Sequence, residues 1–177
     1  GENVNILDLD KVNTCQFEVL ILPSMLTDPG FSSYQYVDFM NYSLLPKVLK
    51  TSKCLKTESV FINRRGSRKL GINDVSLQQI CKQYKFHCLF LEDYSFDKQM
   101  EIMLGAKRIV APHGGGLANT FAFNGSLTEL VGTNYSNTCY LDLAMICENN
   151  YKYCALPDDS GDLHIDETAL RECLKIQ

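Results

Sequence analysis

Ala111–Gly125 reads APHGGGLANTFAFNG and joins a strand signal to a helix signal. The apolar run 108–111 is typical of a buried parallel strand, and apolar residues recur at helical spacing after the three glycines. Consecutive glycines let the backbone adopt positive φ and let a ligand approach the main chain. We therefore predict a strand, a tight glycine turn and the start of a helix in this stretch.

The predicted glycine turn suits an anion such as a phosphate. The first N–H groups of a helix lack acceptors within the helix, so they can donate to a bound anion, and His113 can add a hydrogen bond at the mouth of the turn. The alternative is a plain connection in which His113 only packs, and a glycine-rich turn by itself does not separate the two. Asn119 stands where the dinucleotide pattern has its third glycine, which disfavours a nicotinamide site.

Strand and helix signals alternate on both sides of this turn. Caps and apolar spacing predict helices behind Ser33, Asn73, Ser95 and Asp166. We expect Pro46 to kink or end the first of these helices, and Gly105 to end the third in a left-handed conformation. Repeated β-α units predict a Rossmann-like α/β fold, a mostly parallel sheet with helices on both faces. Strands are predicted at 17–22, 59–63, 87–91, 108–111, 127–131 and near 151–155, and a further helix near 137–147.

Composition sets limits on the class of protein. With 177 residues and 45% hydrophobic composition, the chain can form one domain with a substantial core. The formal charge of −4, without a long run of either sign, argues against general binding to nucleic acid or membrane. There is no apolar run of about 18 residues and no signal-peptide pattern, so we expect this segment to be soluble.

Eight cysteines are present, none of them in a C-x-x-C pair, which argues against a zinc or thioredoxin-type site. Disulfides in an oxidising compartment and buried free thiols both remain open, since Cys81 and Cys88 fall on apolar positions of a predicted helix and strand. Sequons for N-glycosylation begin at Asn41, Asn124 and Asn134, but the number is close to chance.

The residues that follow the predicted strands form one candidate surface, because open parallel sheets bind ligands outside the carboxyl ends of their strands. The loop 64–68 brings three arginines to the edge that also holds the glycine turn. Arginine suits bidentate contact with phosphate, so this pairing predicts a diphosphate held between guanidinium and backbone N–H groups. The alternative is a solvated basic loop.

Three acidic or polar residues on the same edge have open roles. Glu129 either accepts hydrogen bonds from ribose hydroxyls or is one partner of a buried ion pair. Asp93 and Ser95 are placed to reach a base or sugar, although Ser95 is also explained as a helix cap.

Two longer stretches carry a family resemblance. FINRRGSRKLGIND, from Phe61, and FLEDYSFDKQMEIMLGAKRIVAPHGGGLANTFAFNGSLTELVG, from Phe90, resemble the carboxyl-terminal, nucleotide-sugar-binding lobe of glycosyltransferase family 61. The family includes O-linked N-acetylglucosaminyltransferases and plant xylosyl- and arabinosyltransferases. The similar region covers about 60–153, with Gly115 where the family usually has alanine and Asn124-Gly125 in place of a proline-rich turn. The shared positions are Arg64 and Arg68, Ser95 with Gln99, the turn 113–119 and Glu129.

The resemblance implies the donor lobe of a GT-B glycosyltransferase in residues 59–177, preceded by a segment 1–58 that is linked to an acceptor lobe or is a remnant of one. It implies inverting transfer from a UDP-sugar to a hydroxyl of a protein or glycan, without an obligatory metal or other cofactor, in the lumen of the endoplasmic reticulum or Golgi. His113 would act by stabilising the leaving group. The implied diphosphate contacts are Arg64, Arg68, His113, Gly114, Gly115, Gly116 and Asn119, and the implied nucleoside contacts are Asp93, Ser95 and Glu129.

Other classes of function stay open at this point. The same fold can bind a nucleotide or sugar without transfer, and 177 residues leave little room for an acceptor lobe. An unrelated doubly wound phosphotransferase or oxidoreductase is disfavoured, because the chain lacks a P-loop Gly-Lys-Ser/Thr and the third dinucleotide glycine. A purely structural domain leaves the shared edge of the arginine loop and the glycine turn unexplained. The general base, the donor sugar, the acceptor and the oligomeric state are not predicted.

Overall fold

The computed structural model describes residues 32–48, 58–65, 70–135, 137–159 and 162–175. The strands in these ranges are β1 (Ser59–Asn63), β2 (His87–Phe90), β3 (Arg108–Pro112), β4 (Ser126–Gly132), β5 (Asn150–Leu156), β6 (Asp158–Asp159) and β7 (Asp162–Leu163). The first five form a parallel sheet in the order β2-β1-β3-β4-β5, and the last two form a small antiparallel pair.

Helices cover this sheet. The α-helices are α1 (Tyr34–Asp38), α2 (Leu45–Val48), α3 (Asp74–Gln83), α4 (Phe96–Gly105), α5 (Cys139–Ile146) and α6 (Glu167–Lys175). A π-helical stretch, Phe39–Leu44, joins α1 to α2, and 3₁₀ helices occupy Leu91–Asp93 and Gly115–Ala122.

The sheet buries a hydrophobic core on each face, since successive strand residues point to opposite sides. Val60 and Ile109 face the core formed with α1, α4, α5 and the 3₁₀ helix Gly115–Ala122. Phe61 and Val110, their neighbours in sequence, face the core formed with α3 and α6. We call this second side the α3–α6 face. The predicted Rossmann-like α/β fold is thereby confirmed.

Several local predictions hold and others are corrected. Asn73 caps α3, its side chain accepting from the Ser76 N–H at 2.9 Å. Gly105 is the last residue of α4, but among the described glycines only Gly114 has positive φ. The extended residue Ala106 follows Gly105 and leads the chain directly to β3, so a left-handed turn is not needed. The predicted strand at 17–22 lies outside the described residues.

Pro46 does not end the first helix, because α2 continues to Val48. The turn before it is π-helical, and the Leu45 N–H donates to the carbonyl of Met40, five residues earlier. A proline removes one N–H from the helical ladder, and a wider turn is a known way to accommodate that loss.

The glycine turn leads into a 3₁₀ helix rather than the predicted α-helix. The amino-terminal part of the described chain packs on it, where the Tyr36 and Phe121 rings meet edge to face with centroids 6.3 Å apart. The predicted division of the chain at residue 58 stays a prediction. In the described parts of the chain, every helix is too short or too polar to cross a membrane.

The strand order creates the place for a site. The chain passes from β1 through α3 to β2 on one side of β1, whereas β3 lies on the other side. Connections therefore diverge at the carboxyl ends of β1 and β3, and such a divergence opens the crevice in which open α/β sheets bind ligands.

Candidate functional site

A crevice with a cavity volume of about 630 Å³ opens at the carboxyl ends of β1 and β3. This volume lies within the range of small-molecule sites. Four of the predicted diphosphate residues, Arg64, Gly115, Gly116 and Asn119, come together on its walls. The lining residues are Ile62, Asn63, Arg64, Arg65, Leu91, Glu92, Gln99, Pro112, Gly115, Gly116 and Asn119.

The Arg64 guanidinium rests against the main chain of the glycine turn. A Cβ atom added to Gly114 would lie 1.7 Å from Nη2 of Arg64 and 2.5 Å from its Cζ. Gly114 also has a φ of 149°, which residues with side chains rarely adopt. The backbone conformation therefore favours glycine here, and a residue with a side chain would also have to displace the end of the flexible Arg64 side chain.

Gly115 and Gly116, at the start of the 3₁₀ helix, line the crevice beside this guanidinium. The first hydrogen bond of the 3₁₀ helix runs from the Leu117 N–H to the Gly114 carbonyl at 2.8 Å, so the amides of Gly115 and Gly116 precede the helical ladder. A Cβ on Gly115 would meet nothing within 4 Å, so its main chain is open to a ligand. A guanidinium and helix-start amides on one crevice make a surface suited to an anion.

Gln99 braces the far wall of the crevice. Its Nε2 donates to the carbonyls of Leu91 and Tyr94 at 2.9 and 3.0 Å, and its Oε1 accepts from Nδ2 of Asn119 at 2.7 Å. Ser95 occupies the N-cap position of α4 without a capping hydrogen bond from its side chain. Of the pair Ser95 and Gln99, it is therefore Gln99 whose side chain holds the structure together. Sequence reasoning named Gln99 as a shared family position but assigned it no role.

His113 and Glu129 form a buried pair next to the turn. Nδ1 of His113 is hydrogen-bonded to Oε1 of Glu129, and their side chains are 11% and 2% exposed. The second carboxylate oxygen of Glu129 accepts from the Tyr151 hydroxyl at 2.5 Å. Of the two roles open for Glu129, this geometry favours the buried partner of other side chains over the ribose contact, because both of its oxygens already accept hydrogen bonds. With Nδ1 held, Nε2 is the His113 nitrogen left for a ligand.

Aromatic rings enclose His113. The ring centroids of Tyr135 and Tyr140 lie 4.6 and 4.9 Å from that of His113. Burial raises the pKa of Tyr140 to about 12, with Cys139 and Glu129 adding to the rise and the Arg64 guanidinium opposing it. Burial and the hydrogen bond to Glu129 also raise the pKa of Tyr151. Both hydroxyls therefore stay neutral at physiological pH, and Arg64 lies within electrostatic reach of this cluster.

Asp158 supports the loop that carries Tyr135. Its Oδ1 accepts from the Asn134 N–H at 2.9 Å and from the Thr133 hydroxyl at 3.3 Å. Its carboxyl lies close to Gly132, where an added Cβ would stand 2.6 Å from Cγ of Asp158. Sequence reasoning missed Asp158, Tyr140 and Tyr151 as parts of the site, since no local motif marks them.

The remaining predicted residues lie around the edge of the crevice. Asp93 is paired with Arg65 through two hydrogen bonds, one of them 2.7 Å from Nη2 to Oδ2. The Arg65 hydrogen bond lowers the pKa of Asp93, and the Arg65 guanidinium stacks 4.0 Å from the centroid of the Phe90 ring. Arg68 lies outside the described residues. Across the described ranges, no group of three His, Cys, Asp or Glu residues is arranged to hold a metal ion.

Comparison with known proteins points to one family. A family model described as Glycosyltransferase 61 matches residues 11–128, which is 118 of the 177 residues and about two thirds of the chain. The matched range begins well before Val60, includes Arg64 and the glycine turn, and ends one residue before Glu129. No curated protein matches the chain significantly.

Proposed function

Because this chain belongs to glycosyltransferase family 61, we propose that it transfers a sugar from a UDP-sugar to a hydroxyl of a protein or glycan, with inversion at the sugar. Family membership supports glycosyl transfer as the class of activity. The observation that carries the donor proposal is the Arg64 guanidinium packed on the glycine turn at the crevice.

The diphosphate of the donor would lie between Arg64 and the amides of Gly115 and Gly116. Guanidinium contact is bidentate and strong, and amides at the start of a helix attract negative charge. Cleavage of the bond from sugar to phosphate leaves additional charge on the diphosphate, so these donors stabilise the transition state more than the bound substrate. Because they supply positive charge themselves, we propose that transfer does not require a divalent metal or another cofactor.

His113 would assist the leaving group from the side of the turn. Glu129 holds its Nδ1, which orients the ring and would stabilise a positive charge formed on it during transfer, as a carboxylate does for a catalytic histidine. Nε2 would then donate to an oxygen of the departing phosphate. In this proposal Glu129 positions His113, and it does not bind ribose.

The nucleoside would extend from the diphosphate towards the residues after β2. Asp93 and Ser95 lie on that part of the edge, and Asn119 stands between it and the turn. Arg68, four residues after Arg64 in sequence, is proposed as a second diphosphate contact. The family resemblance leads us to propose the lumen of the endoplasmic reticulum or Golgi as the place of action.

Calorimetric titration of the 177-residue chain with UDP, UDP-N-acetylglucosamine and NAD, in EDTA, tests the donor site. We expect both UDP compounds to bind, NAD not to bind, and Arg64→Ala to weaken UDP binding at least tenfold, about 1.4 kcal/mol. Arg171→Ala is the matched control, since Arg171 lies on α6 and pairs with Glu167 at 3.5 Å. A folded chain that binds no UDP, or an Arg64→Ala variant that binds it unchanged, would contradict the proposal.

Release of UDP from the sugar nucleotide, measured with and without hydroxyl acceptors, tests transfer separately. Turnover that falls in His113→Ala while UDP binding is retained would support the leaving-group role. Binding without any turnover would instead favour the alternative, a non-catalytic nucleotide-binding module of the same fold.

A further inference from the structure

Two pairs of cysteine thiols meet on the α3–α6 face of the sheet. The thiol of Cys81 in α3 is hydrogen-bonded to that of Cys88 in β2, and the thiol of Cys173 in α6 is hydrogen-bonded to that of Cys154 in β5. Cys81 and Cys173 are 0% and 3% exposed, whereas their partners are only partly buried. All four belong to, or pack against, the same hydrophobic core.

The two pairs have equivalent places in the fold. β2 and β5 are the outer strands of the described five-stranded sheet, and each pair joins one of them to a helix of the α3–α6 face. In sequence, six residues separate Cys81 from Cys88, and 18 separate Cys154 from Cys173. An outer strand has a neighbouring strand on one side only, so a covalent link to a helix would hold it where the sheet is weakest.

We propose that Cys81 with Cys88, and Cys154 with Cys173, form two disulfide bonds when the folded protein meets a disulfide oxidant such as glutathione disulfide. In each case one protein thiolate attacks the oxidant, forms a mixed disulfide and releases one glutathione thiolate. The second protein thiol loses its proton and attacks the mixed disulfide, and the second glutathione leaves. The two protein sulfurs together lose two electrons and two protons, and glutathione disulfide becomes two glutathione thiols.

The strand cysteine of each pair is placed to react first. Hydrogen bonding from the partner thiol lowers the pKa of Cys88 and of Cys154, and both are more exposed than their partners. The helix cysteines are buried, so each reaches the oxidant only through the mixed disulfide formed on its partner. This order is the same at both edges of the sheet.

Mass spectrometry can detect both bonds directly. The folded chain is incubated with glutathione disulfide, quenched in acid, unfolded, alkylated and digested with trypsin. Cleavage after Lys82 and Arg171 places the partners on different peptides, so we expect 70–82 linked to 86–98, and 153–171 linked to 172–175. Each linked pair should be lighter by two hydrogen atoms than the sum of its thiol peptides.

Single variants and thermal melting complete the test. Cys81→Ser should remove only the first link and leave Cys88 open to glutathione or alkylation, and Cys173→Ser should do the same for the second pair. Oxidation should raise Tm by about 5 °C or more for each bond, and each variant should lose its share of that rise. Full alkylation of all four cysteines after oxidation, or links in other combinations, would overturn the proposal.

Discussion

The Arg64 guanidinium fills the space that a side chain on Gly114 would need, with Nη2 only 1.7 Å from the position of such a Cβ. Fifty positions in sequence separate the two residues, and the pairing of β1 with β3 brings them together. Arg64 and the glycine turn therefore form one structural unit, and we expect a substitution at Arg64 or Gly114 to change the position of the other residue.

Gly114→Ala should disturb this unit. The alanine would adopt an unfavourable φ and displace Arg64, so we expect a loss of about 1–3 kcal/mol in the free energy of unfolding and at least tenfold weaker UDP binding. Gly115→Ala is the control for stability, because a Cβ there meets nothing within 4 Å. Urea denaturation and calorimetry measure the two effects, and an equally stable Gly114→Ala variant would show that the close contact is not a constraint.

Glu129→Gln should destabilise the fold through His113. The substitution keeps the shape of the side chain but removes the carboxylate that accepts hydrogen bonds from His113 and Tyr151. We therefore expect a loss of about 1.5–3 kcal/mol in the free energy of unfolding. Tyr151→Phe removes one of these hydrogen bonds, and in the double variant the losses should not add, because the three residues form one network. Additive losses in urea denaturation would indicate that Tyr151 and Glu129 act independently.

Gln99→Ala should loosen the wall of the crevice. The substitution leaves the carbonyls of Leu91 and Tyr94 without this donor, so we expect a loss of about 1–3 kcal/mol in unfolding free energy. Gln79→Ala, at an exposed position of α3, is the matched control and should change stability by about 0.5 kcal/mol or less. Equal stability of the two variants would contradict the bracing role.

Alkaline pH should weaken the fold through Tyr140. Its pKa rises from 10.0 to about 12 in the folded state, so the native protein holds this proton more tightly than the unfolded chain. The stabilisation is fully present below pH 10 and is lost as pH rises towards 12. Between pH 9 and 11, Tyr140→Phe should lose less unfolding free energy than the parent chain, by up to about 1 kcal/mol. The same pH dependence in both proteins would contradict this role.

Much of the fold could be predicted from local sequence. Continuous apolar runs marked the strands, and a polar residue before each apolar helical stripe marked helix starts such as Asn73. The helix does not end at Pro46 and Gly105 is not left-handed, and these two corrections have a common cause, since both residues were interpreted by their intrinsic preferences. The surrounding chain overrides these preferences. A wider helical turn accommodates Pro46, and the chain runs from Gly105 through the extended Ala106 directly into β3.

The candidate site was only partly accessible to sequence reasoning. Arg64 and the glycine turn follow predicted strands, so their shared edge could be inferred. The contact of Glu129 with Tyr151 could not, because it depends on the register of β4 with β5, where Leu127 pairs with Tyr151 and Glu129 with Tyr153. Residues 127, 129 and 151 therefore share one side of the sheet, a fact of pairing that no local pattern contains.

The proposed anion site has two halves that evolution can treat differently. The amides of Gly115 and Gly116 belong to the main chain, so substitutions elsewhere cannot delete these donors unless they change the path of the turn. Arg64 is a side chain and can be exchanged by a single codon change. Relatives that keep the turn and replace Arg64 would retain the amide donors and lose the guanidinium contact, so affinity for phosphate and the choice of phosphorylated ligand can change separately.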